Sequence, residues 1–252
     1  MQLYIIPLGK CDNDKEKIFT PGKNHGDWLK VPIWAAVIKT SELNILIDTG
    51  IHPGHIKHPN MTFKGTELES AIVPIMTEDD RMENRLSEIG LTPEDIHVVI
   101  NTHLHFDHSG NNNLFPYARI IIQKQHFEQA KNNPNVFPHR YFMIEDLNYD
   151  LIVGEMELLP NISIIRSPGH AIGMQNVVVN LKNSGTIILA GDSISLEEHL
   201  IDNNWDGYED PKNARISGLR LKEIKDLTGG TIIFGHDPKQ WESLKISPSY
   251  YD

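Results

Sequence analysis

Residues 101–110 read NTHLHFDHSG and bring His103, His105, Asp107 and His108 together in one short stretch. Imidazoles and carboxylates cost free energy when buried without partners, so a folding core has no use for such a cluster. What these groups share is metal ligation. Alternate residues of an extended segment face the same way, so His103 and His105 can grip one cation. Asp107 and His108 follow where the chain turns, and they can address a second cation beside the first. Each cation needs more donors. Three candidates lie far away in sequence: His170 in SPGHAIG, Asp192 in AGDS and His236 in FGHD. The two carboxylate oxygens of Asp192 could bridge the pair.

The donors are nitrogen and oxygen only, a set that suits two Zn(II) ions, with Fe, Co or Mn as other occupants. Two cations about 3.5–4 Å apart can trap a bridging hydroxide that is nucleophilic at neutral pH. One of them can polarise a carbonyl while the other steadies a leaving oxygen. The chemistry so specified is hydrolysis.

The elements that must position these residues are short apolar strands alternating with a few helices. LYIIPL (3–8), VPIWAAVIKT (31–40) and NILIDTG (44–50) read as strands, the last ending in the turn Asp48-Thr49-Gly50. Residues 51–76 hold Pro53, Pro59 and Gly65 and predict an extended loop over one face. Thr77 with Asp80 predicts a capping box for a helix through Met82, Leu86 and Ile89, stopped at Gly90. Thr92-Pro93 offers a second helix start, and HVVINT (97–102) is a short buried strand ending at the histidine cluster. The second half adds strands at 119–123, 176–181, 186–193 and 230–237, a strand running into a loop over ISIIRSPGHAIG (162–173), a helix start at KQHFEQA (124–130), and a helix from Asp210-Pro211 to about Leu227. Asp48, His103, His170, Asp192 and His236 all fall near strand ends, where rigid strands position side chains and loops leave room for a ligand.

The bulk numbers agree with such an enzyme. A chain of 252 residues supports a substantial core in one large domain, and the two halves read as similar layers of one unit spanning 1–252. The net charge of -11 argues against nucleic acid or an anionic membrane surface as a partner. One cysteine, Cys11, makes no internal disulfide and reads as a packed small residue. The first residues lack a basic region ahead of their apolar run, and no apolar run reaches the roughly 18 residues of a membrane span, so a cytoplasmic protein is expected.

HLHFDH followed by PGH, GD and GH resembles the metallo-β-lactamase superfamily, over essentially the whole chain. The resemblance implies an α/β fold, a four-layer αββα sandwich, with the seven donors named above as ligands. Asp192 as bridge resembles the two-metal hydrolases such as glyoxalase II and the lactonases. A narrower likeness rests on TPGK (20–23), VPIWAAVIKT, ILIDTG, FKGT (63–66), PIMTEDDRMENRL (74–86) and THLHFDHSGNN, which resemble the N-acyl-homoserine lactonases, the quorum-quenching enzymes. It implies opening of a homoserine lactone ring, a small-molecule lactone as partner, and a homodimer as one assembly. Asp107 would ligate and pass a proton to the departing alkoxide. Asp48 would steady a ligating histidine from behind, and Phe106 and Phe63 would line the acyl pocket.

Two positions depart from that pattern. The resemblance implies a tyrosine three residues after the bridging aspartate, where Ser195 stands; Tyr208 could fold in from the following loop. Glu67 stands where a relative would carry an aromatic. The alternative on the same centre is another lactone or a glyoxalase II-like thioester. That second reading wants basic residues near the C-terminal part, and DLTGGTIIFGHDPKQWES offers only Lys239. His52, His55 and His58 read as a solvated loop at the site's mouth, because Pro53, Gly54 and Pro59 disfavour a helix. His25, His97, His126, His139 and His199 are isolated and carry no expected role.

Overall fold

The computed structural model describes residues 1–252. The first sheet contains β1 (Gln2–Asp14), β2 (Trp28–Lys39), β3 (Asn44–Ile47), β4 (Ile72–Ile75), β5 (Val98–Ile100), β6 (Arg119–Gln123) and β7 (Asn148–Ile152), in the order β4-β1-β2-β3-β5-β6-β7. The second contains β8 (Met156–Leu159), β9 (Ile162–Arg166), β10 (Gln175–Leu181), β11 (Gly185–Gly191) and β12 (Thr231–Phe234), in the order β12-β11-β10-β9-β8. The helices are α1 (Lys15–Ile18), α2 (Met82–Glu88), α3 (Phe106–Ser109), α4 (Lys124–Asn132), α5 (Glu197–Ile201), α6 (Pro211–Thr228) and α7 (Pro238–Trp241).

The period-two alternation of the strands sorts their side chains between two cores. Leu3 and Ile5 of β1, Ala36 and Ile38 of β2, and Ile45 and Ile47 of β3 point to the second sheet, where they meet Ile164, Val177, Val179 and Leu189. Tyr4, Ile6, Ala35, Val37 and Leu46 point the other way and pack under Met82 and Leu86 of α2. On the far side, Ile188, Ala190 and Ile232 of the second sheet pack against Ala214 and Leu221 of α6. The layers are therefore helix, sheet, sheet, helix. Because both faces of each sheet are covered, the strands read as continuous apolar runs. Each fully buried Ile or Leu contributes roughly 1.5–3 kcal/mol to this arrangement.

Chain direction explains the site's location. β3, β5 and β6 run parallel, and so do β11 and β12. β9 is antiparallel to β10, which is antiparallel to β11, so β9 and β11 also point the same way. The segments leaving β3, β5, β9, β11 and β12 thus emerge at one edge of the sandwich.

Local structure differs from expectation in several places. Residues 51–76 are not one irregular loop: they hold single turns at Pro53–Ile56 and Glu67–Ser70 and then β4. The expected capping box of Thr77 with Asp80 forms, and Thr92 makes another with Asp95, but each closes only a 3-10 turn. β7 and β8 were not foreseen; polar residues interrupt NYDLI and MELL, so neither shows clean alternation. His103 and His105 lie beyond the end of β5, in the approach to α3.

Candidate metal centre

The segment after β5 is held by a buried polar network. The backbone carbonyl of His108 accepts from Thr49 N–H at 2.8 Å and from the Thr49 hydroxyl at 3.2 Å. Asn112 Nδ2 donates to Asn101 Oδ1 at 2.8 Å, and Asn111 Nδ2 donates to Thr49 O at 2.6 Å. Gly110 N–H donates to Gly50 O at 2.9 Å, and a Cβ at Gly110 would lie 2.5 Å from that same oxygen. These contacts account for the polar run that follows the histidines.

The structure brings the seven sequence-predicted donors into two adjoining groups. His103, His105, His170 and Asp192 form one, and Asp107, His108 and His236 the other. His105 Nδ1 lies 2.9 Å from His103 Nε2 and 3.0 Å from His170 Nε2. Asp192 stands between the groups with one oxygen turned to each. Its Oδ2 is 3.2 Å from His170 Nε2, and its Oδ1 is 3.0 Å from His236 Nε2 and 3.3 Å from His108 Nε2. Asp107 Oδ2 lies 3.7 Å from both His108 Nε2 and His236 Nε2.

Hydrogen bonds behind the rings fix which nitrogen faces inward. Asp48 Oδ2 accepts from the Thr102 hydroxyl at 2.7 Å and from His108 Nδ1–H at 2.8 Å, so the His108 Nε2 lone pair points into the cluster. With its proton given to Asp48, the Thr102 hydroxyl oxygen accepts from His103 Nδ1–H at 3.1 Å. Asp48 Oδ1 takes Thr102 N–H at 2.7 Å. The Pro32 carbonyl can only accept, so His236 donates from Nδ1 at 3.0 Å and presents Nε2. Trp34 Nε1 donates to Gly235 O at 2.6 Å and ties the His236 loop to β2. Gly169 has φ +148, and a Cβ there would lie 2.3 Å from Ala214 Cα, so the loop carrying His170 rests directly on α6.

These residues fit a pair of cations. His108 Nε2 and Asp192 Oδ1 are buried with no hydrogen-bond partner, a costly state that a bound cation relieves. Three imidazole nitrogens turned toward one another likewise leave lone pairs that only a cation can share. For His103 and His105 the electrostatics agree. Burial, with the neighbouring imidazoles, holds His103 and His105 well below the usual histidine range, in the neutral form a ligand needs. Burial pulls His108 and His236 down too, but nearby carboxylates, Asp192 foremost, outweigh it and the net shift is upward. For Asp192, burial raises the carboxyl, and His236, His108 and His170 overcome it and hold it well below the carboxylate range.

A cavity of about 510 Å³ opens over the cluster, lined by His105, Asp107, His170, Asp192 and His236. Phe63 and Phe106 line it as well and meet edge to face at 4.7 Å. Ser195 and Tyr208 both line it and touch: Tyr208 accepts from Ser195 N–H at 3.1 Å. Phe19 O accepts from His199 Nε2–H at 3.3 Å, so His199 Nδ1 accepts the Tyr208 hydroxyl proton at 2.8 Å. Cys11 also lines the cavity, buried and unpaired.

Three histidines expected to be idle are structural. His126 is fully buried; its Nε2 accepts Leu104 N–H at 2.9 Å, and its Nδ1–H donates to Ile172 O at 2.8 Å. It thereby joins the loop of His103 and His105 to the loop of His170. Its sequence signal is Ala130 one turn later, on the same helix face. His199 anchors Tyr208. His55 is buried rather than solvated, with Nδ1 against Pro59 O at 2.7 Å and Nε2 against Thr62 Oγ1 at 2.9 Å; nothing in its neighbours signals this.

Residues 29–236 match the sequence profile of the Metallo-beta-lactamase superfamily. The chain belongs to this superfamily. Across 252 aligned residues it is 34% identical to the N-acyl homoserine lactonase of Bacillus thuringiensis, covering 99% of this chain and 98% of that protein. It is 30% identical to the N-acyl homoserine lactonase AttM of Azorhizobium caulinodans, covering 100% of this chain and 99% of that one. A solved N-acyl homoserine lactone hydrolase, with the product N-hexanoyl-L-homoserine at its catalytic metal centre, superposes with a TM-score of 0.92 at 34% identity, over 99% of this chain and 98% of that chain. Within the metallo-β-lactamase superfamily, this chain is a member of the N-acyl homoserine lactonase family. The αββα sandwich is the superfamily's fold.

Proposed function

We propose that this protein is a dinuclear-metal hydrolase that opens the lactone ring of N-acyl homoserine lactones, with quorum quenching as its consequence. The observation that carries the reading is the near full-length relationship to lactonases, joined to a cavity in which the donor cluster adjoins apolar side chains. One cation would be held by His103, His105 and His170, the other by Asp107, His108 and His236, and Asp192 would serve both. Zn(II) is the occupant we favour for the nitrogen and oxygen donors. When bound, such a pair lowers the pKa of a shared water and polarises a carbonyl.

The chain's own groups do the rest. Asp107, on the cavity side of His108 and His236, takes a proton from the attacking water at Oδ2 and returns it to the ring oxygen as the ester bond breaks. Tyr208 takes the orienting role that a tyrosine at position 195 would have had. By turning its O–H from His199 toward the cavity, it keeps the Ser195 N–H as donor while donating to the substrate carbonyl. Ser195 contributes through that backbone N–H. Phe63 and Phe106 form the apolar wall for the acyl chain and exclude water from it. We place the protein in the cytoplasm on its single, unpaired cysteine; no helix is long and apolar enough to cross a membrane.

A glutathione thioester is the less favoured substrate, because Lys17 is the only cationic side chain lining the cavity. Ring opening converts a neutral ester to an alcohol and a carboxylate, releasing one proton. A pH-stat comparison of N-acyl homoserine lactones, γ-butyrolactone and S-lactoylglutathione therefore decides the substrate class. Acid release from the acyl homoserine lactones is expected, and release from the thioester alone would refute the reading.

A further inference from the structure

The ring torsion of histidine is broad, so a ligating imidazole is normally held in place by a hydrogen bond at its second nitrogen. His103, His108 and His236 are held in this way, by the Thr102 hydroxyl, the Asp48 carboxylate and the Pro32 carbonyl. His105 is not. It turns Nδ1 to the cluster, 2.9 Å from His103 Nε2 and 3.0 Å from His170 Nε2, and its ring nitrogens make no other polar contact with the chain. Something else must fix the plane of this ring.

Phe137 lies against it. The two rings are stacked, with centroids 4.9 Å apart and planes 11° from parallel. The other ring neighbours of His105 are His103 and His170, and both meet it edge to face, at 79° and 88°. Among them only Phe137 presents a flat surface, and a turn of the imidazole about its torsion would strike it. Phe137 has no room to yield. It is 1% exposed and packs with Leu104, Ile122, Phe142 and Met174. Its N–H donates to Asn133 O at 2.9 Å, closing the turn that leaves α4. The His126 ring stands edge to face with it at 5.1 Å, and His126 is itself tied to Leu104 N–H and Ile172 O. His170 also lacks a hydrogen bond behind its ring, but its aromatic neighbour Tyr208 meets it only edge to face, at 5.8 Å.

We propose that Phe137 is a positioning residue for the cation of the His103, His105 and His170 group: stacked on His105, it sets the ring plane of a ligand that no hydrogen bond holds from behind. An aromatic pair of this kind is worth roughly a two- to tenfold factor in an equilibrium constant. That is less than the roughly 10–100-fold of a hydrogen-bonding partner behind a ligand. The dependence on Phe137 is therefore modest and confined to one cation, because the group of Asp107, His108 and His236 makes no contact with its ring. This assignment rests on the two-cation reading above and says how the chain holds one of the pair.

The test is Zn(II) binding by the metal-free protein in competition with a chromophoric chelator. Phe137→Leu keeps an apolar side chain but loses the plane. It should weaken one of two binding steps roughly two- to tenfold and leave the other at its parental value. Phe137→Met fills the space with a flexible chain and should repeat that result, which keeps the test decisive where leucine packs badly. Phe137→Tyr keeps the plane and should hold both steps at parental affinity. Asp48→Asn identifies the steps, since it strikes the His108 site hardest; the leucine and methionine variants must move the other one. Both steps unchanged in those variants, both weakened alike, or a tyrosine variant as weak as leucine would overturn the assignment. A parent that binds a single Zn(II) would instead remove the two-cation reading, and this proposal with it.

Discussion

Asp48→Asn removes one negative charge and almost no volume, and the structure says what must follow. Three donors converge on the Asp48 carboxylate: Thr102 N–H at Oδ1, and the Thr102 hydroxyl and His108 Nδ1–H at Oδ2, all within 2.8 Å. The backbone tolerates the change, because position 48 has φ 59 and asparagine accepts that conformation well. An amide has only one acceptor end. If its oxygen keeps Thr102 N–H, its NH2 faces His108 Nδ1, which must then accept and carry its proton on Nε2, toward the cations. If the amide flips, Thr102 N–H is left buried against another donor. Either outcome forfeits a charge-assisted hydrogen bond, about 1.5–3 kcal/mol. Affinity for the cation held by His108 should fall roughly 10–100-fold, the usual scale for a lost partner behind a ligand, while the group built on His103, His105 and His170, which Asp48 reaches only through the Thr102 hydroxyl, should weaken less. Competition against a chromophoric chelator reads the two affinities separately, and unequal weakening, larger at the His108 site, is expected. Two sites of parental affinity would refute the claim that Asp48 sets the His108 tautomer.

Tyr208→Phe leaves Ser195 N–H without its acceptor and His199 without its donor. We expect a stability loss of about 1–3 kcal/mol in chemical denaturation, and kcat/KM for lactone opening about tenfold lower. Unchanged turnover would show that the hydroxyl does not touch substrate. Asp192→Asn should lower bound metal to about one ion per chain by elemental analysis; two ions with full activity would contradict the bridging role. Burial pushes His55 down to about 4, so the fold favours its neutral form. Its contribution is complete above the unfolded value near 6.5 and drains away as pH falls toward 4, at most about 3 kcal/mol. His55→Asn should therefore show a smaller fall in melting temperature between pH 7 and pH 4.5 than the parent does; equal falls would remove His55 from the account.

The donor cluster was legible because its residues have one plausible use and stand where parallel strands end. Spacing alone put His103 and His105 on a common target, and the strand rhythm gave His170, Asp192 and His236 a shared edge. At Ser195 the sequence showed a gap and offered Tyr208 from the following loop, but the contact between them, Ser195 N–H to the Tyr208 hydroxyl, joins two segments 13 residues apart that carry no local signal of it. The residues behind the ligands were less visible. His126 acts through a backbone amide and a carbonyl, and His199 through a carbonyl and the distant Tyr208 hydroxyl, none of which leaves a signature beside them in the sequence. His55 looked solvated because proline and glycine surround it, yet the 3-10 turn at Pro53–Ile56 folds it inward onto Phe106. β4, β7 and β8 are short edge or near-edge strands, where pairing with a neighbour decides the conformation more than alternation does.

The central claim is that two cations in one cluster open a lactone. Metal-free protein titrated with Zn(II), with the rate of proton release from an N-acyl homoserine lactone followed at each addition, tests it most directly. The rate should climb to a break at two equivalents per chain. A break at one equivalent, or full activity without added metal in the presence of chelator, would contradict it.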